Sequence, residues 1–124
     1  MKDLFGYIKL GRLNKKIANE INRKPANIFV EYDHLRHIET RRFEYLQKIK
    51  MNAFAYVQKI IANYIEIRKG KGDALLLVAY IENISNENIA VIELQPIANK
   101  SMYIVKTAMP RVKFTKGEIA LWQK

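Results

Sequence analysis

Leu10, Leu13, Ile17 and Ile21 recur at intervals of three, four and four, the stripe of an amphipathic helix. The spacing predicts a first helix that opens near Gly11 and closes by Lys24-Pro25, where the proline blocks continuation. Asn27-Ile28-Phe29-Val30-Glu31-Tyr32 is dense in strand formers and predicts a short strand. Leu35, Ile38, Tyr45, Leu46 and Ile49 then fall on one helical arc, with Asp33 as an N-cap candidate, and predict a second helix. Ala53 to Asn63 carries Phe54, Val57, Ile60 and Ile61 at helical spacing, a third segment. Asn52 marks either a bend between two helices or a kink in one long one.

After Asn63 the period changes. Tyr64-Ile65-Glu66-Ile67-Arg68 alternates, Gly70-Lys71-Gly72-Asp73 supplies a turn, and Ala74 to Ile81 is a continuous apolar run suited to a central strand. Asn83 to Asn88 reads as a second turn. Ile89 to Leu94 and Met102 to Ala108 read as further strands, joined by Pro96-Ile97-Ala98-Asn99-Lys100, with Pro110 stopping the last. Helices first and strands afterwards define an α+β domain: N-terminal helices on one face of a four-stranded antiparallel sheet. Trp122, in the basic tail from Lys113 to Lys124, is expected to fold back onto the core.

Composition narrows the classes. A chain of 124 residues that is 49% hydrophobic and 27% charged supports one core, so residues 1–124 are read as a single domain. The absence of cysteine removes disulfide scaffolds, thiolate metal sites and cysteine nucleophiles. The start, Met1 to Gly6, has an acid at its third position and no apolar stretch of signal type. The longest apolar run is eight residues, against the roughly twenty that a membrane helix needs. A cytoplasmic location is expected.

Charge points to a partner class. The net charge is +10, and it is spread: residues 1–50 hold 12 bases and 6 acids, residues 51–124 hold 10 and 6. A field of that sign attracts polyanions, nucleic acid or an anionic surface, without specifying a fold.

The second helix carries the candidate chemistry. At about 100° per residue, His34, His37, Arg41 and Lys48 fall within roughly 60° of one another, beside the apolar arc. Protonatable imidazoles next to fixed cations suit cleavage of RNA by its own 2′-hydroxyl, which needs a base, an acid and positive charge for the phosphorane. From spacing alone, the plainer reading of the same residues is a solvated basic face. Arg42 projects into the apolar arc, where an unpaired guanidinium is costly; it is either paired with a carboxylate such as Glu66 or Glu93, or it lines a concave site. On the last strand, alternation puts Tyr103, Val105 and Thr107 on one face and Lys106 on the other. Gly70-Lys71-Gly72 lacks the rest of a phosphate loop, and two histidines without carboxylates at ligand spacing do not make a metal centre.

Gly11-Arg12-Leu13, Ile28-Phe29-Val30, His37-Ile38 with Arg41, Tyr64-Ile65-Glu66 and Tyr103-Ile104-Val105-Lys106-Thr107 follow in an order that resembles the phage-associated branch of the barnase–EndoU–colicin–RelE ribonucleases. The resemblance implies a barnase- or RelE-like sheet and a metal-independent endoribonuclease without cofactor, of toxin-domain type, that leaves a 2′,3′-cyclic phosphate. It implies RNA, including tRNA, as substrate and an acidic immunity or antitoxin protein as partner. His37 becomes the acid/base residue, Arg41 and Arg42 phosphate ligands, and Thr107 a polar residue at the floor of the site; His34, Tyr103, Lys106 and Arg111 become substrate-binding. The chain departs from the pattern at Arg42, where relatives carry a second histidine. Either His34 substitutes, or Arg42 adds transition-state charge stabilisation, or the domain binds RNA without cutting it. A non-catalytic nucleic-acid-binding or phage interaction domain is the alternative from another class.

Overall fold

The computed structural model describes residues 6–81, 87–97, 100–111 and 113–124, and its first departure from the helical spacing comes at once. Leu10 and Leu13 belong to a strand, β1 (Tyr7–Leu13), and the first helix, α1, is only Lys15–Glu20. The register slips between Lys9 and Gly11, so Leu10 leaves the ladder while Ile8, Leu10 and Leu13 all pack against the core, the last two three residues apart. That three-residue step imitates a helix. The side chain of Asn14 accepts from the Ile17 amide at 2.8 Å and starts α1.

β2 (Ala26–Glu31) runs straight into α2 (Tyr32–Arg41), which is followed by α3 (Phe43–Ile49) and α4 (Ala53–Asn63). Asp33 is therefore not the cap; it sits in the first turn of α2 and pairs with Arg36. Asn52 does cap α4, accepting from Ala55 N at 2.8 Å, while Glu39 of α2 accepts from Ala53 N at 2.9 Å. Two first-turn amides of α4 are thus satisfied, one of them by a side chain that ties α2 to it.

The remaining strands are β3 (Glu66–Lys69), β4 (Leu75–Tyr80), β5 (Glu87–Ile97), β6 (Lys100–Arg111) and β7 (Ala120–Gln123). The turn read at Asn83–Asn88 lies outside the described residues up to position 86, and Glu87 and Asn88 already belong to β5. The connection read over Pro96–Lys100 lies outside them at positions 98 and 99. Nor does Pro110 end the last strand: β2 pairs with β6 only over Tyr103–Val105, so Pro110 sits where β6 has a neighbour on one side alone.

Among the described residues the fold is mixed α+β with a seven-stranded sheet of order β1-β2-β6-β5-β4-β3-β7. This corrects the four-stranded antiparallel sheet. The meander of β3 to β6 accounts for four strands, but β1 and β2 add at one side and β7 at the other, and the β2–β6 pairing is parallel. The four helices pack on one face over a continuous core that includes Leu13, Ile28, Val30, Tyr56, Ile60, Leu75, Leu77 and Val105. The sheet curls round α4 closely enough that a Cβ on Gly11 of β1 would stand 3.2 Å from Ile61 Cγ2.

The other face carries Phe29, Met102 and Ile104 toward one end and Leu76, Val78 and Ile89 toward the other. Over the second group lies a strap, residues 113–119, which carries the chain from β6 across to β3, where β7 pairs. Phe114 packs on the apolar cluster, with the Arg68 and Arg111 guanidinium groups 4.2 and 5.3 Å from its ring centroid. Arg111 pairs with Glu118, Arg68 donates to the Glu118 carbonyl at 2.7 Å and to Glu66 at 2.9 Å, and Gln123 donates to Glu66 at 2.7 Å. Trp122 meets Tyr64 edge to face at 5.8 Å.

Burial alone would raise the Glu118 carboxyl, but the Thr115 amide and the Arg111 guanidinium hold it below its ordinary value. A depressed folded-state value means that the Glu118 contacts stabilise the strap fully above the unfolded pKa near 4.5 and that this contribution is lost as pH falls. Proteolysis after residue 112 is therefore expected to accelerate below pH 4.5 before global unfolding. A Glu118→Gln chain that keeps the acid-triggered cleavage of the parent counts against this.

Candidate functional site

Thr40 lies near the end of α2, and its hydroxyl donates to the Arg36 carbonyl at 3.0 Å. Such back-bonding competes with the helical ladder and bends it, and two residues later the ladder breaks at Arg42 (φ −111°, ψ 22°). α3 then sets off in a new direction. The elbow opens a cavity of about 890 Å³ lined by Arg41, Arg42, Lys48 and Glu44, with Thr40, Phe43, Tyr45 and Pro110 completing its walls.

Arg42 is the centre of this arrangement. It is half-buried, its Nη2 donates only to the Met109 sulfur at 3.7 Å, and its Nε is buried with no hydrogen-bond partner. Neither Glu66 nor Glu93 reaches it; Glu66 is committed to Arg68 and Gln123. Of the two environments open to this residue from sequence, it has the concave one. Glu44 shares the cavity but forms no ion pair with Arg41, Arg42 or Lys48, and Phe43 presents its ring 52% exposed at the rim. Three cations against one carboxylate, with unspent donors and an exposed aromatic ring, offer charge complementary to an anion and a face complementary to a flat group.

A buried polar group anchors Tyr45, one of the lining residues. The Tyr45 and Tyr56 hydroxyls both donate to Asn88 Oδ1 at 2.7 Å, and their rings meet edge to face at 5.8 Å. Burial pushes the Tyr56 phenol far above its ordinary 10.0, and Tyr45 adds to this while the Arg42 charge opposes it. Burial also raises Tyr7, Tyr45, Tyr64 and Tyr103. Raised folded values mean that stability is complete below pH 10 and falls as pH rises beyond it, by about 1.4 kcal/mol per unit for each phenol still neutral in the fold. The melting temperature is therefore expected to drop steeply from pH 10 to 11.5, and less steeply in a Tyr56→Phe chain.

The other residues singled out from the sequence are dispersed. His37 and Arg41 stand exposed on α2, and no hydrogen bond or ion pair joins His37 to any described residue. His34, half-buried on the same stripe, places Nδ1 3.0 Å from the Val105 carbonyl where the β2–β6 ladder stops. Because a carbonyl only accepts, that nitrogen carries the proton, and Nε2 faces Glu31 at 4.0 Å.

A bulge separates Tyr103 from Thr107. Val91 pairs with Thr107 and Ile92 with Val105, which leaves Lys106 without a partner and turns the following residues over. Tyr103, Val105 and Ala108 face the helices, whereas Thr107 shares the opposite face with Val91 and Met109. Simple alternation had put Thr107 on the Tyr103 side; the extra residue reverses it. Arg111, the last residue of β6, pairs with Glu118 of the strap, and Tyr103 donates to the Lys24 carbonyl at 2.8 Å. The structure thus unites Arg41 and Arg42 with Lys48, and leaves His37 and Thr107 out of the cavity walls. The roles of Phe43, Tyr45 and Pro110 were not legible in the sequence; the one signal there was an aromatic residue directly after two arginines.

Comparisons with known protein families, curated protein sequences and solved structures give no match. Among the described residues no three histidine, aspartate or glutamate side chains converge on a metal position, and no helix is long and apolar enough to cross a membrane.

Proposed function

We propose that this chain binds single-stranded nucleic acid, RNA foremost, by holding the phosphodiester backbone in the cavity at the α2–α3 elbow. One observation carries the reading: a half-buried guanidinium with no carboxylate partner lines an open cavity together with two further cations and an exposed phenylalanine. The cations supply affinity through released counterions, and the ring offers a stacking platform indifferent to base identity. Fluorescence anisotropy with a labelled oligouridine across 50–200 mM salt tests it. Binding should weaken linearly in log–log form, with a slope of about −0.7 per phosphate contact. A salt-insensitive affinity removes the reading.

A second reading, endoribonuclease, is favoured by His34. A histidine whose Nδ1–H is fixed on a backbone carbonyl keeps Nε2 available for proton transfer, and it shares a helix stripe with Arg41. Incubation with RNA in the presence of chelator, followed by analysis of fragment ends for cyclic phosphate, tests this. His34→Ala should slow cleavage by about 10²–10⁴-fold and His37→Ala far less. Equal rates in the parent and both variants refute it.

A further inference from the structure

Among the described residues two buried side-chain polar atoms lack a hydrogen-bond partner, and both are arginine Nε atoms: Arg42 and Arg23. Arg23 follows α1 and lines its own cavity, about 450 Å³, with Lys24, Asn22, Asp73, Leu94 and Tyr103. Asp73 shares the cavity without an ion pair to either cation. The Tyr103 hydroxyl, fixed on the Lys24 carbonyl, holds this wall in place.

The two cavities stand at opposite ends of one strand. Tyr103 of β6 borders the Arg23 cavity and Pro110 of the same strand borders the elbow cavity. Both residues face the helices, Tyr103 opposite Leu94 and Pro110 opposite Asn88. Allowing for the bulge, they are separated by roughly 20 Å at about 3.3 Å per residue. Between them His34 reaches the Val105 carbonyl and Lys106 bulges from the ladder.

We infer that the Arg23 cavity is a second phosphodiester site, and that one nucleic-acid strand, passing outside the helices that cover Val105 and Ala108, occupies both cavities. The inference rests on the nucleic-acid reading of the elbow cavity and adds a length requirement to it. A stacked strand advances about 3.4 Å per nucleotide, so at least about six nucleotides are needed to bridge the two sites, and a trinucleotide falls short. Joining two weak sites through one strand raises affinity by making the second contact intramolecular.

The test compares a trinucleotide with a twelve-nucleotide oligouridine, and the latter with oligothymidine, on the parent, Arg23→Gln and Arg42→Gln chains. On the 12-mer each substitution should weaken binding about fivefold and make the salt slope shallower by about 0.7. On the trinucleotide each should cost about twofold or less, because the other cavity still accepts it. In the unaltered chain the Arg23 Nε–Hε resonance should shift with the 12-mer, a reading independent of how any variant folds. If Arg42→Gln weakens binding while Arg23→Gln does not and its resonance stays fixed, the second site is wrong and the elbow site stands. If neither substitution matters, the nucleic-acid reading itself fails. A preference for oligouridine assigns RNA; equal affinity for oligothymidine assigns the shared backbone as the ligand.

Discussion

Replacing Arg41, Arg42 and Lys48 together by glutamine is expected to lower the affinity for a twelve-nucleotide oligouridine by about 100-fold at 0.1 M salt. The arithmetic follows from counterion release: at a slope of about −0.7 per contact on a single strand, each lost contact is worth about 0.7 decades at that salt, and three give about two. The slope itself should become shallower by about two. Arg36, exposed on α2 but paired with Asp33 and outside the cavity, is the control. If Arg36→Gln matters as much as the triple change, binding follows net charge and no defined site exists.

Asn88→Ala is expected to destabilise the fold by about 3–5 kcal/mol, the largest effect of any single substitution considered. One buried oxygen accepts from two phenols on different helices, Tyr45 on α3 and Tyr56 on α4, and its removal strands both hydroxyls. Each abandoned buried donor costs about 1–3 kcal/mol. For a chain of this size the midpoint should fall by roughly 10–20 °C in thermal denaturation. Asn88→Asp, which keeps an acceptor, should recover part of the loss. Removing the donors as well, by Tyr45→Phe and Tyr56→Phe in the Asn88→Ala background, should cost less than the three single losses added together. Strict additivity would show that the three groups do not act as a unit.

Where the sequence was legible, the determinants were local. The helix read over Ala53 to Asn63 has those same bounds, because its stripe, its Asn52 cap and the change of period after it are all contained in neighbouring residues. The first helix was misread because the bulge at Leu10 spaces inward positions by three, and a short window cannot separate that from a helical step. The count of strands failed for a different reason: β7 and the parallel β2–β6 ladder depend on partners far along the chain, which periodicity does not encode. For the candidate site, Arg42 was marked by its place inside an apolar arc, a physical contradiction that the elbow resolves. Thr107 was lost to the unpaired Lys106, since one extra residue in β6 inverts everything beyond it. His37 has the helical spacing of a site residue, but spacing fixes azimuth along α2 and not what lies opposite.

The parallel ladder has a consequence for how the chain reaches its native state. Ile28 meets Tyr103 across 75 residues, a closure that costs about 4 kcal/mol of chain entropy before any contact returns it. The β3-to-β6 meander closes only short spans, so it is expected to assemble early, with the N-terminal third docking onto it later. A nascent polypeptide that has emerged only as far as residue 97 therefore holds β2 without its parallel neighbour; the next dozen residues supply it, and the opposite edge waits for β7.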